Sequence, residues 1–174
     1  MLALVREWRG DDRRALEHAR HALDLYRELG QPVRQARSLD QVGWYEARLG
    51  DHATARAHCA EALVLCRRHD DPDGEANTLD SPGYIEHHDG DHRRAVGHYR
   101  QALARYRALG HTAMVAGALD HVGLPLAALG LRDEARAVWR EALALYRDLE
   151  CDEDAERLLR RLEELDGAER AVTG

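Results

Sequence analysis

Residues 39–62 read LDQVGWYEARLGDHATARAHCAEA. Leu39, Val42, Gly43 and Glu46 recur at helical spacing, Gly50 and Asp51 interrupt them, and Ala55, Cys59 and Ala62 start a second stripe. The stretch therefore predicts two helices joined by a tight turn. Gly50 stops the first because it reaches positive φ freely, and Asp51 caps the second by accepting an N–H from its first turn. Pro32 marks the start of the first helix, where a missing N–H is harmless. Arg67 and Arg68 suit the negative end of the second.

The same pattern returns at an offset of 40 residues in both directions. Leu39, Leu79 and Leu119 align and Leu159 continues the series; Asp40, Asp80 and Asp120 align, as do Gly43, Gly83 and Gly123. Gly10, Gly50, Gly90 and Gly130 share a register, and so do Ala15, Ala55, Ala95 and Ala135, then Ala22, Ala62, Ala102 and Ala142. A fixed period of small residues is the signature of stacked supersecondary units, because small side chains let helix backbones approach. Tyr26, Tyr106 and Tyr146 fill one large register and Tyr99 and Trp139 another. Cys66 falls in the first of these and Cys59 in the second, so both thiols read as core fillers. The units fall at about 1–30, 31–70, 71–110 and 111–150, with a capping helix over 152–166 and a disordered tail over 167–174; together 1–166 form one repeat domain. Leu158, Leu159, Leu162 and Leu165 mark one face of the capping helix.

The period also explains the most chemically suggestive stretch, LDSPGYIEHHDGDH over 79–92. His88 and His92 are four residues apart, but Gly90 separates them, so they do not share a helical face as two metal ligands of an HExxH pattern must. His92 aligns with His52, and Asp91 with Asp51 and Asp11, which makes them turn residues that recur because the turn recurs. No metal or cofactor is expected. No nucleophile–base pair or Gly-rich phosphate loop stands out, so no catalytic residues are assigned.

Composition narrows the classes further. The 174 residues are 33% charged and 44% apolar, and no run approaches the roughly 18 apolar residues that span a bilayer. All 25 basic residues are arginine, which excludes a phosphate loop ending in Gly-Lys and a Schiff-base lysine. The net charge is −7, most of it in the acidic stretch 150–174; the nearly balanced remainder lacks the basic surface that nucleic acid needs. Three cysteines without a CxxC pair fit a reducing, cytoplasmic setting, and the N-terminus MLALVREWRG is too short and charged for a secretory signal.

The Leu-x-x-Val-Gly step (39–43 and 119–123), the Leu49-Gly50-Asp51 turn and the following Ala55 and Ala62 resemble the tetratricopeptide repeat family over about residues 10–166. That resemblance implies an all-α, right-handed superhelical solenoid of antiparallel helix pairs, about three and a half repeats plus the cap. The period is longer than the roughly 34 residues usual for the family. The long form, and DEARAVWREALALYRDLE (133–150) in particular, is similar to the C-terminal repeats of antibiotic-regulatory transcriptional regulators of actinobacteria. Glu46 and Glu86 depart from the pattern at a position usually apolar, where Leu126 stands in the fourth unit. Pro82 and Pro125 depart too: each falls inside a first helix and is expected to kink it.

In this family the first helices line a concave groove. The resemblance places Arg37, Asp40, Trp44, Ala47 and Arg48 there, then Asn77, Asp80, Tyr84, His87 and His88, then Asp120, Leu124, Ala127 and Ala128. Helical spacing supports one stripe independently, since Asp80, Tyr84 and His87/His88 lie at i, i+4 and i+7/i+8. Two roles are open for the aspartates: a ladder that grips a peptide bearing Arg or Lys, with aromatics adding cation–π contact, or plain ion pairs with Arg37 or a neighbouring helix. The expected function is a non-catalytic protein- or peptide-binding scaffold, a regulatory module of a transcriptional regulator. The alternative is a sensor of a peptide or small-molecule signal. Expected partners are proteins or peptides, not nucleic acid or membrane, and a second copy of the chain through the N-terminal unit is a further candidate.

Overall fold

The computed structural model describes the backbone of residues 2–173 and the side chains of residues 11–167. The described residues form eight helices and no strand: α1 (Leu2–Glu28), α2 (Pro32–Arg48), α3 (His52–Arg68), α4 (Pro72–His88), α5 (His92–Leu109), α6 (Thr112–Ala128), α7 (Arg132–Asp148) and α8 (Asp152–Thr173). The fold is an all-α helical-repeat solenoid. None of these helices is long and apolar enough to cross a membrane. The chain divides into two compact units, 1–89 and 90–174.

The helix ends follow local chemistry. Asp51, Asp71 and Asp91 accept the backbone N–H of Thr54, Gly74 and Arg94 at 3.2, 3.1 and 3.1 Å, capping α3, α4 and α5. Pro32 and Pro72 open α2 and α4. Helices α1, α2, α5, α6 and α7 close on the same pair of bonds, for instance Asp51 N–H to the Glu46 carbonyl at 2.9 Å and Gly50 N–H to the Ala47 carbonyl at 3.0 Å. Gly10 shares its register with Gly50 but lies inside α1, which runs from Leu2 to Glu28 without a turn. Pro82 and Pro125 likewise lie inside α4 and α6, which continue through them.

The turn between repeats carries a series that the small-residue pattern hid. Gly30, Asp70, Gly110 and Glu150 are 40 residues apart, and all have positive φ, at 61°, 50°, 73° and 57°. Glycine reaches this region freely, whereas a Cβ is strained there; Asp tolerates it better than Glu. Glu150→Gly is therefore expected to stabilise the fold by about 0.5–1 kcal/mol, the strain relieved being partly offset by a freer unfolded chain. Chemical denaturation should show a higher midpoint at unchanged slope, and a larger gain than Asp70→Gly.

In unit 1, Leu16, Ala19 and Leu23 of α1 pack on Leu39 and Val42 of α2 and on Ala62 of α3. A second cluster joins Ala47 to Ala55, Cys59 and Ile85, with Tyr84 against it. The small residues act as expected: a Cβ on Gly43 would stand 2.8 Å from the Cys59 Sγ and 3.0 Å from the Ala55 carbonyl oxygen. Cys59 and Cys66 are each 1% exposed, and burial pushes both thiols up. Both therefore stay protonated and unreactive at neutral pH.

In unit 2, Tyr99 and Tyr106 of α5, Leu119 and Val122 of α6 and Trp139 of α7 are buried. The indole N–H of Trp139 donates to the Asp120 carbonyl at 3.0 Å, and the ring lies over Gly123. Leu158 and Leu165 of α8 are buried, but Leu159, expected on the same face, is 36% exposed. One hundred degrees per residue carries it past the edge of the stripe. The expected tail over 167–174 has its side chains from 168 on outside the described residues.

Candidate functional site

The first-helix face of unit 1 is built by α2 and α4, which touch directly. Trp44 of α2 meets Tyr84 of α4 with ring centroids 4.8 Å apart. Tyr84 stacks on His88 at 3.9 Å, and His87 meets His88 edge-on at 5.3 Å. His88 Nδ1–H donates to the Tyr84 carbonyl at 2.8 Å, which fixes the imidazole under the phenol. Four rings thus form one strip. Trp44, Tyr84 and His87 are partly buried and His88 is exposed.

Carboxylates of the same helices adjoin this strip in register. Asp40 stands one turn before Trp44, and Asp80 one turn before Tyr84. Both are partly buried. The Ser81 hydroxyl donates to Asp40 at 2.9 Å. Burial pushes the Asp40 carboxyl up to about 6 against that hydrogen bond, and the nearby Asp80 charge raises it further. Ser81 was invisible in the repeat pattern, because it shares a register with Gln41 and His121, residues of unrelated chemistry.

The flanking residues are tied down. Arg37 reaches Asp71, the cap of α4, at 3.2 and 3.3 Å. Arg48 pairs with Asp12 of α1 at 3.2 Å. Asn77 is exposed one turn before Asp80. Behind the face, Glu46 is 1% exposed and receives Arg20 of α1 at 2.9 Å, with His58 Nδ1 of α3 at 2.6 Å. An acidic residue thus occupies a usually apolar register because two nitrogen partners from different helices satisfy it.

In unit 2 the corresponding residues have a different setting. Asp120 of α6 is 1% exposed; Arg157 of α8 donates to it at 3.0 Å and Arg161 donates to its other oxygen. Leu124 is partly buried on α6. The repeat spacing brings Asp40, Trp44, Asp80, Tyr84, His87 and His88 onto the α2–α4 face, while Asp120 and Leu124 belong to the other unit. Among the described residues, no three His, Cys, Asp or Glu side chains converge as a metal set.

A tetratricopeptide repeat family profile matches residues 45–108. No curated protein matches the chain. Among solved structures, BtubC from P. vanneervenii superposes with a TM-score of 0.77 at 19% identity, over 91% of this chain and 66% of that one. A Rap protein complexed with Competence and Sporulation Factor gives 0.83 at 18% identity, over 94% of this chain and 46% of that one. A putative kinesin light chain of nearly identical TPR-like repeats, from Podosopora anserina, gives 0.63 at 11% identity, over 95% of this chain and 93% of that one. At such identities the likeness is one of fold. The chain spans just under two thirds of BtubC and less than half of the Rap protein.

Proposed function

We propose that this chain is a non-catalytic helical-repeat scaffold that binds a protein or peptide segment on the α2–α4 face of unit 1. The observation that carries the reading is the strip Trp44–Tyr84–His88–His87 on the same face as Asp40 and Asp80. Ring faces and carboxylates together suit a guanidinium or ammonium group, which gains cation–π contact from the first and an ion pair from the second. A peptide bearing Arg or Lys is the partner that this chemistry favours. The likeness to a Rap protein solved with Competence and Sporulation Factor supports a binding role for such a fold. We assign the scaffold to a regulatory module, in line with the resemblance of 133–150 to actinobacterial regulators, and to the cytoplasm.

Asp40 adds an energetic argument. An unfolded Asp titrates near 3.9, and burial moves the folded Asp40 up to about 6, so the folded state holds its proton more tightly. The stabilisation linked to that proton is complete below the unfolded value and is lost as pH rises through about 6. At neutral pH the ionised carboxylate therefore opposes folding, by up to about 3 kcal/mol on linkage arithmetic. A bound cation on this face would compensate that buried charge. Asp40→Asn is expected to raise stability by about 1–2 kcal/mol at pH 7 and to leave it unchanged at pH 4. Thermal melts at the two pH values check this.

The binding itself is tested by titrating the full chain with acetyl-GRGRG-amide and with acetyl-GEGEG-amide while following tryptophan emission. Only the arginine peptide should quench Trp44, and Trp44→Phe, Tyr84→Ala and Asp80→Asn should each weaken the response. Equal responses to both peptides, or none at millimolar concentration, remove the reading.

A further inference from the structure

A second surface, in unit 2 and made by other helices, differs from its counterpart in unit 1 in a systematic way. In unit 1 the α3–α4 junction is an ionic cluster. Arg56 Nε donates to Glu86 at 3.1 Å, another Arg56 nitrogen donates to Asp89, and His52 Nδ1 pairs with the same Asp89. Forty residues on, three of these four polar side chains give way to apolar ones, with Val96 at the register of Arg56, Leu126 at that of Glu86 and Leu129 at that of Asp89, while His52 recurs as His92. The cap series Asp51 and Asp91 continues as Leu131, which makes no side-chain cap to α7 and is 43% exposed.

These replacements line one cavity of about 300 Å³ between α5 and the α6–α7 turn. Val96 and Leu126, 7% and 1% exposed, form its floor, and Leu129 and Leu131 stand at its side. Arg93 and Arg100 of α5 stand at the rim. Arg100 is engaged by Glu134 of α7 at 2.7 Å, while no ion pair holds the exposed Arg93 among the described residues. Val96 and Leu126 are buried and serve the packing of the repeat, but Leu131 forgoes a helix cap and stays exposed beside them, which that packing does not require. An exposed leucine over an apolar floor is a place for an apolar side chain from outside, and the arginine rim selects what flanks it.

We propose that this cavity seats an apolar side chain of a partner protein segment whose next residue is acidic. The apolar group lies against Leu131 and Leu129, above the floor of Val96 and Leu126. The neighbouring carboxylate takes Arg93 and competes with Glu134 for Arg100. This surface is separate from the α2–α4 face, so either can fail without the other.

The test uses the isotope-labelled full chain and three peptides: acetyl-GSLEGS-amide, acetyl-GSAEGS-amide and acetyl-GSLKGS-amide. The first should shift the backbone amides of Arg93, Val96 and Leu131 in a saturable way. Removing the leucine side chain or reversing the charge should weaken binding by about tenfold. Arg93→Glu, at an exposed position, and Leu131→Asp, which restores the residue type of the other caps, should both keep the fold and lose the response. Equal shifts with all three peptides, or none at millimolar peptide, overturn the proposal. So do shifts at these amides that grow with protein concentration alone, since they would assign the cavity to a second copy of the chain.

Discussion

Gly123→Ala should be among the most damaging single substitutions in the molecule. The indole of Trp139 lies where the new Cβ would go, with three ring atoms inside contact distance. Trp139 is 4% exposed and its N–H donates to the Asp120 carbonyl at 3.0 Å, so the ring cannot retreat without leaving that donor unsatisfied. Overpacking of a core by a methyl group costs about 1–3 kcal/mol, and an orphaned buried N–H adds about 1–3 more. A total near 4 kcal/mol lowers Tm by about 10 °C for a chain of this size. Gly117→Ala, on the same helix, is the control. Nothing lies within 4 Å of its Cβ position, so it should be neutral or stabilise by up to about 1 kcal/mol through helix propensity. If the two variants melt together, close approach at Gly123 is not what holds α6 to α7.

Asp120→Ala should loosen α8. The carboxylate is 1% exposed and takes one guanidinium on each oxygen, Arg157 and Arg161, whose side chains remain 41% and 26% exposed. Removing one partner of a buried ionic group commonly costs about 3–5 kcal/mol. Here the arginines can turn to solvent, so about 2–3 kcal/mol is expected. The loss should be local: hydrogen exchange at the amides of α8 should accelerate more than exchange at α5, whose contacts to α6 are unchanged. Uniform acceleration across unit 2 would show that the cluster supports the whole unit and is no specific clamp. Replacing Asp120 and both arginines together with apolar residues should recover much of the loss, because no buried charge is then left alone.

Leu39, Val42, Gly43, Gly50, Ala55 and Ala62 were enough to place helices and turns, because helical spacing and small-residue contact are local properties of the chain. Gly43 against Cys59 and Gly123 against Trp139 are the same register used with side chains of very different size. The turn series Gly30, Asp70, Gly110 and Glu150 went unread because half of it is not glycine, although the backbone conformation is shared. The aromatic strip was half legible: Trp44, Tyr84, His87 and His88 could be put on one kind of face by spacing, but the 3.9 Å stack of Tyr84 on His88 required a backbone.

The aspartates at 40, 80 and 120 draw the boundary most sharply. Their spacing fixed that each occupies the same place on its own helix, since position along a regular helix is set by residue count alone. What each one touches was decided by the tertiary structure. Asp40 receives a hydroxyl from Ser81 of α4, whereas Asp120 is closed over by two arginines of α8. A side chain's partner comes from whichever helix reaches it, and for Asp120 that helix is α8, which carries Arg157 and Arg161 at the registers where α4 has Asn77 and Ser81. Periodicity therefore determines the scaffold, while the departures from it determine the chemistry of each face.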